Sequence, residues 1–173
     1  MNLSKQKLPD TVIVDGSVYK IKTAHYWWFL FAEILDQREV PLYEFDKFYD
    51  CEPPEDRQAG VDQLLLFYYE PKELPRAEGD GEKVLDFAID ADLIYAALYQ
   101  CYGVDLYEKE YHWHKVRAMI SGVTGTKLNE VLGYRCVNPG KNKELAKGKA
   151  MWALPEKEIE LKQFENVFYN AQF

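Results

Sequence analysis

Three aspartates and two histidines are the residues whose types and spacing could do chemistry in this chain. Asp86 and Asp90 stand four apart and would share one helical face, with Asp92 close by. Paired carboxylates there could raise each other's pKa or hold Mg²⁺, the basis of a small metal-dependent hydrolase. The simpler reading, preferred here, is a set of first-turn carboxylates stabilising the positive end of a helix. His112 and His114 point about 200° apart on a helix, so they cannot bind one ion there. Only an extended backbone would align them, and no cysteine or carboxylate completes a set at zinc spacing. His25, the third histidine, is tied to neither by any motif. Gly122-Val123-Thr124-Gly125-Thr126-Lys127 echoes a phosphate loop but lacks its spacing and follows a helix instead of a strand. No nucleophile elbow, catalytic cysteine signature or dinucleotide fingerprint occurs. The expectation is a protein that is not an enzyme, with no catalytic residues, no cofactor and no metal ligands.

Arg135, Lys141, Lys143, Lys147 and Lys149, with Tyr134 and Trp152, have the composition of a nucleic-acid patch. The chain as a whole carries a formal charge of −8, which phosphate would repel. Its charge is uneven: Glu33 to Glu110 holds 7 basic and 21 acidic residues, Tyr111 to Lys149 holds 8 and 2. A basic later third on an acidic body suits an acidic partner or a second copy better than nucleic acid. Three cysteines without a CxxC pair, and an N-terminus without an apolar signal core, point to the reducing cytoplasm. The apolar run from Tyr26 to Ala32 is far short of the ~20 residues that span a bilayer, so no membrane role is expected.

The 173 residues fit a single domain, and a 47% hydrophobic content predicts a packed core. The patterning predicts a mainly α protein, a compact helical domain with a small N-terminal β-hairpin. Asp15-Gly16 between β-branched and aromatic residues marks the hairpin over residues 12–22. A helical core over residues 24–135 follows. Its first helix, with Thr23 offering a cap, runs to about Asp36, with Trp27, Leu30, Phe31 and Ile34 on one stripe. A short helix is expected over Pro41 to Tyr49, and a better one over Asp56 to Tyr69 with Val61, Leu64, Leu65 and Tyr68 inward. Pro71 to Gly81 reads as an exposed loop. Phe87, Ala91, Ile94, Leu98 and Cys101 line the next helix, which Gly103 ends. A helix from Glu108 to Ser121 carries Trp113, Val116 and Ile120, and Thr126 caps another to about Leu132. Residues 138–150 read as a basic, mobile segment, and 155–170 as a C-terminal helix.

An aromatic excess without catalytic groups suits either a core or a contact surface, since Tyr and Trp supply large contact area at low entropy cost. The expected partner-binding residues are Tyr26, Trp27, Trp28, Phe31, His112 and Trp113. The segments VDGSVYKIKT (Val14 to Thr23) and DFAIDADLIYAALYQCYGVDL (Asp86 to Leu106), with His112-Trp113 and Gly133-Tyr134-Arg135, resemble the bacteriophage gene-product-fifteen family. The chain departs from that pattern at Ala24-His25-Tyr26, at His114 and at Val116. The resemblance implies a protein of tailed phages or prophages, encoded beside the tail tube and tape measure genes. It implies a non-enzymatic tail assembly chaperone acting in the host bacterial cytoplasm. The implied partner is the tape measure protein, with the major tail tube protein as a further contact; self-association is the contact that the charge asymmetry suggests. A structural virion component of the tail or head–tail connector is the alternative, and the Asp86/Asp90 hydrolase the second.

Overall fold

The computed structural model describes residues 7–70 and 83–155. It is mainly α-helical with one two-stranded antiparallel hairpin at its N-terminal end, as the patterning predicts. Contacts divide it into two compact units: residues 7–70 with 112–114, and residues 83–111 with 115–155. The loop expected over Pro71 to Gly81 and the helix expected over 155–170 lie outside the described residues, apart from Pro155.

In the first unit, β1 (Thr11–Val14) pairs with β2 (Ser17–Lys20) in a register that sets Val14 against Ser17. Asp15 and Gly16 take φ of 49° and 79°, the double left-handed geometry of a type I′ turn. Val12 and Val14 point inward, while Ile13 and Val18 face out. Beyond β2 the chain continues to pair: Ile21 bridges Tyr49, and the Lys22 N–H donates to the Phe48 carbonyl at 2.8 Å. The expected helix at Pro41 to Tyr49 is a 3-10 helix over Leu42–Phe48, which buries Phe45 and Phe48.

Helix α1 (His25–Leu35) starts one residue later than a Thr23 cap would place it. Ala24 occupies the cap position without a side-chain bond and bridges His112, while the Thr23 carbonyl accepts the Trp113 N–H at 2.8 Å. This pairing holds the chain extended through Ala24. The buried line is His25, Trp28, Phe31 and Ile34, so Trp28 takes the core position expected of Trp27. Its indole N–H donates to the Lys22 carbonyl at 2.8 Å, and its ring lies 4.5 Å from that of Phe67. Trp27 is half-buried beneath the Lys22 ammonium, 4.1 Å from its ring centre.

Helix α2 (Arg57–Tyr69) begins at Asp56, whose carboxylate accepts the Ala59 N–H, and buries Val61, Leu64, Leu65 and Tyr68 as expected. Gly60 sits where the Tyr49 hydroxyl donates to its carbonyl at 2.9 Å. A Cβ there would come within 2.7 Å of Pro54 Cγ and 3.0 Å of the hydroxyl. Gly60→Ala gains about 1 kcal/mol of helix propensity but overpacks this contact by about 1–3 kcal/mol. A net loss is expected, seen as a thermal midpoint a few degrees lower.

In the second unit, α3 (Ala91–Tyr102) buries Ile94, Ala97 and Leu98. Ala91 and Cys101, expected on that face, are exposed, so the inward stripe is rotated from the pattern that linked them. Gly103, at φ 62°, ends the helix as expected. Helix α4 (Trp113–Gly122), whose first two residues belong to the first unit, begins later than Glu108, because residue 112 is still extended. Thr126 and Asn129 form a reciprocal capping box for α5 (Lys127–Cys136), a turn longer than expected. The basic segment expected over residues 138–150 holds a helix that the pattern does not announce, α6 (Lys143–Trp152), capped by Asn142 and packed on α5 with Gly148 against the Tyr134 ring.

Candidate functional site

Asp86 and Asp90 do lie together, but each is already occupied by protein groups. Both oxygens of Asp90 take the Arg135 guanidinium in a two-pronged pair, at 2.6 and 2.9 Å. The same Asp90 carboxylate accepts the Asp86 N–H at 3.0 Å. Arg135 completes its fork by donating to the carbonyls of Val84 and Trp152, at 2.8 and 2.7 Å. Asp86 accepts from the N–H groups of Ala88 and Ile89, and Lys83 stands 3.2 Å from its other oxygen. The pair is a buried brace at the entrance to α3. Arg135 therefore leaves the basic patch proposed for nucleic acid, and Tyr134 leaves it too, packed against Gly148. Among the described residues no group of three His, Cys, Asp or Glu side chains could hold a metal ion.

Burial alone would raise the Asp86 carboxyl, but the Ile89 N–H, Lys83 and the Ala88 N–H outweigh it and hold the pKa at about 2. A depressed folded value means the carboxylate stabilises the fold fully above its unfolded pKa of about 4 and loses that contribution as pH falls toward 2. Asp86→Asn is expected to flatten this part of the acid unfolding curve, read by helical circular dichroism between those limits.

His112 and His114 are arranged as structural histidines. The ring of His112 accepts the His114 N–H on Nδ1 at 3.1 Å, as a side-chain cap does at a helix start. An accepting Nδ1 places the proton on Nε2, which donates to the Pro9 carbonyl at 2.9 Å. His114 Nε2 lies 2.9 Å from the Phe67 carbonyl, with its ring stacked on that of Phe67 at 4.4 Å. Trp113 is 1% exposed, stacks on Tyr68 at 5.2 Å, and donates its indole N–H to the Tyr68 carbonyl at 3.0 Å.

Residues 5–156 match the family described as Bacteriophage Gp15 protein. The chain belongs to that family. No curated protein and no solved structure matches it. In this Gp15-family chain the motifs at Asp86 to Leu106 and at Gly133 to Arg135 meet through the Asp90–Arg135 pair. The hairpin segment and His112-Trp113 meet in the first unit, through the bond from the Trp113 N–H to Thr23.

The six expected contact residues divide by burial in this family member. Trp28 and Phe31 are 0% exposed and join Trp113 in the core, so they present no surface in the folded state. Tyr26 is 46% exposed, while Trp27 and His112 are half-buried. A surface around Tyr26, with the edges of Trp27 and His112, is what remains of the expected site. Tyr43, Tyr69, Tyr99 and Tyr107 are also exposed and lie outside the expected set. Periodicity did hold a signal for Tyr99, which falls off the buried stripe of α3. Cys51, Cys101 and Cys136 are all free and exposed. Among the described residues no helix is long and apolar enough to cross a membrane.

Proposed function

We propose that this bacteriophage protein is a non-enzymatic tail assembly chaperone, binding the tape measure protein in the host cytoplasm before the tail tube polymerises. Family membership over residues 5–156 carries the reading. The physical support is that the carboxylates best placed for catalysis are held by Arg135, Lys83 and backbone N–H groups, while tyrosines stand exposed. Covering apolar segments of a long partner hides area worth roughly 25 cal/mol per Å² from competing self-association.

Co-expression with the tape measure protein encoded nearby tests this directly. The partner should be soluble and co-purify with the chain; equal solubility without it would sink the proposal. Tyr26→Ala should weaken capture about tenfold while leaving the helical spectrum intact, as loss of an exposed aromatic anchor does. Mass spectrometry of purified particles should find the protein scarce. Stoichiometric amounts would instead make it a virion component of the tail or connector.

A further inference from the structure

Two exposed helix faces of the second unit are complementary. On α3, Asp92, Tyr95, Ala96 and Tyr99 stand at i, i+3, i+4 and i+7, a single face. Tyr95 is half-buried and the other three are exposed, Tyr99 to 56%. The two tyrosine rings stack at 6.2 Å, and Tyr107, from the loop after the helix, closes on Tyr95 at 5.6 Å. Carboxylates rim this platform: Asp105 accepts the Tyr95 hydroxyl at 3.1 Å, and Glu108 lies close enough to help raise the pKa of that phenol. The platform is aromatic, partly ordered by its own stacking, and acidic at its edge.

On α6, Lys143, Ala146, Lys147 and Ala150 repeat the same i, i+3, i+4, i+7 spacing, and all four are exposed. Met151, 65% exposed, extends the stripe by one position. The opposite side of that helix carries Gly148, buried against Tyr134. The outward face is thus basic, with small residues that let another helix approach closely and a thioether that suits aromatic rings. Among the described residues both faces are open to solvent, apart from the half-buried Tyr95.

We infer that the basic face of α6 in one copy docks on the acidic tyrosine face of α3 in a second copy. Lysines over tyrosine rings and beside Asp92 and Glu108 combine cation–π attraction with charge pairing. Because the two faces differ, the contact either closes, as a reciprocal two-fold dimer or a larger ring, or extends head to tail. Interfaces enrich tyrosine and methionine in this way. The inference stands apart from the tape measure reading, which requires no self-association.

Sedimentation analysis of the full chain over a concentration series, at low and high NaCl, tests it. Association is expected at low salt and should weaken at high salt, because exposed charge pairs are screened. Asp92→Lys with Glu108→Lys, or Lys143→Glu with Lys147→Glu, should each weaken association about tenfold or more, since like charges then face each other. All these residues are exposed, and an unchanged helical spectrum confirms that each variant folds. The chain carrying both pairs of reversals should associate again, because the faces are complementary with signs exchanged. A wild-type chain that stays monomeric at low salt overturns the inference. So does association that either pair of reversals leaves unchanged, or a doubly reversed chain that stays monomeric.

Discussion

Trp28→Ala is expected to cost about 3–5 kcal/mol of stability, among the largest losses any single truncation can cause in this chain. The indole is wholly buried and sits among Phe31, Phe48, Phe67 and Tyr68 at centroid distances of 5.1, 5.9, 4.5 and 6.2 Å. Its truncation would open a cavity lined by rigid rings, which collapse poorly around a void. It would also leave the Lys22 carbonyl without its indole donor, at the point where the hairpin passes into α1. Thermal unfolding followed by far-ultraviolet circular dichroism should show a midpoint lower by roughly 10 °C. Retained stability with lost partner binding would instead make Trp28 a contact residue, contrary to its burial.

The second large effect is expected at the Asp90–Arg135 pair. Replacing either partner alone, as in Asp90→Leu or Arg135→Met, should cost about 3–5 kcal/mol, because the other charge is left buried and uncompensated. The side chains are 2% and 7% exposed, which puts them in the range where that penalty applies. The double variant should cost clearly less than the two single losses together, since no lone charge remains. It should not recover fully. The Asp86 N–H loses its acceptor and the carbonyls of Val84 and Trp152 lose their donors. Urea unfolding of all four proteins measures the coupling. Strict additivity would show that the pair does not brace α3, α5 and the segment before them.

What was legible in the sequence is what neighbouring residues decide among themselves. Asp15-Gly16 specifies its turn because both positions must take positive φ, and few other dipeptides do so cheaply. Thr126 caps its helix through a bond with a residue three further on, so its role depends on nothing distant. The stripe of Val61, Leu64, Leu65 and Tyr68 is strongly apolar on one face and admits one orientation. Around α1 the pattern was ambiguous, because six of the seven residues from Tyr26 to Ala32 are large aromatics or leucine. Periodicity cannot phase a helix that is apolar almost all round. Trp28 rather than Trp27 went inward because its N–H reaches the Lys22 carbonyl and its ring meets Phe67.

The candidate site was legible in composition and not in membership. An excess of aromatics announces contact or core without saying which ring does which. Trp28, Phe31 and Trp113 proved to be core because partners distant in sequence enclose them, while Tyr26 stayed outside. In sequence, Arg135 stands with the basic residues that follow it. Its real partner is Asp90, 45 positions away, and charge pairing at that separation leaves no local trace.

By itself, then, the sequence determined the class of fold, the hairpin, most helix boundaries and the family motifs, because turn conformation, capping and periodicity act over a few residues. Tertiary structure alone decided that His112 caps a helix, that Asp90 and Asp86 are held and not available, and which aromatics face water. Each of those outcomes depends on a carbonyl, guanidinium or ring brought close by folding. The physical reason is one of range: hydrogen bonds and packing act over a few ångströms in space, whatever the distance along the chain.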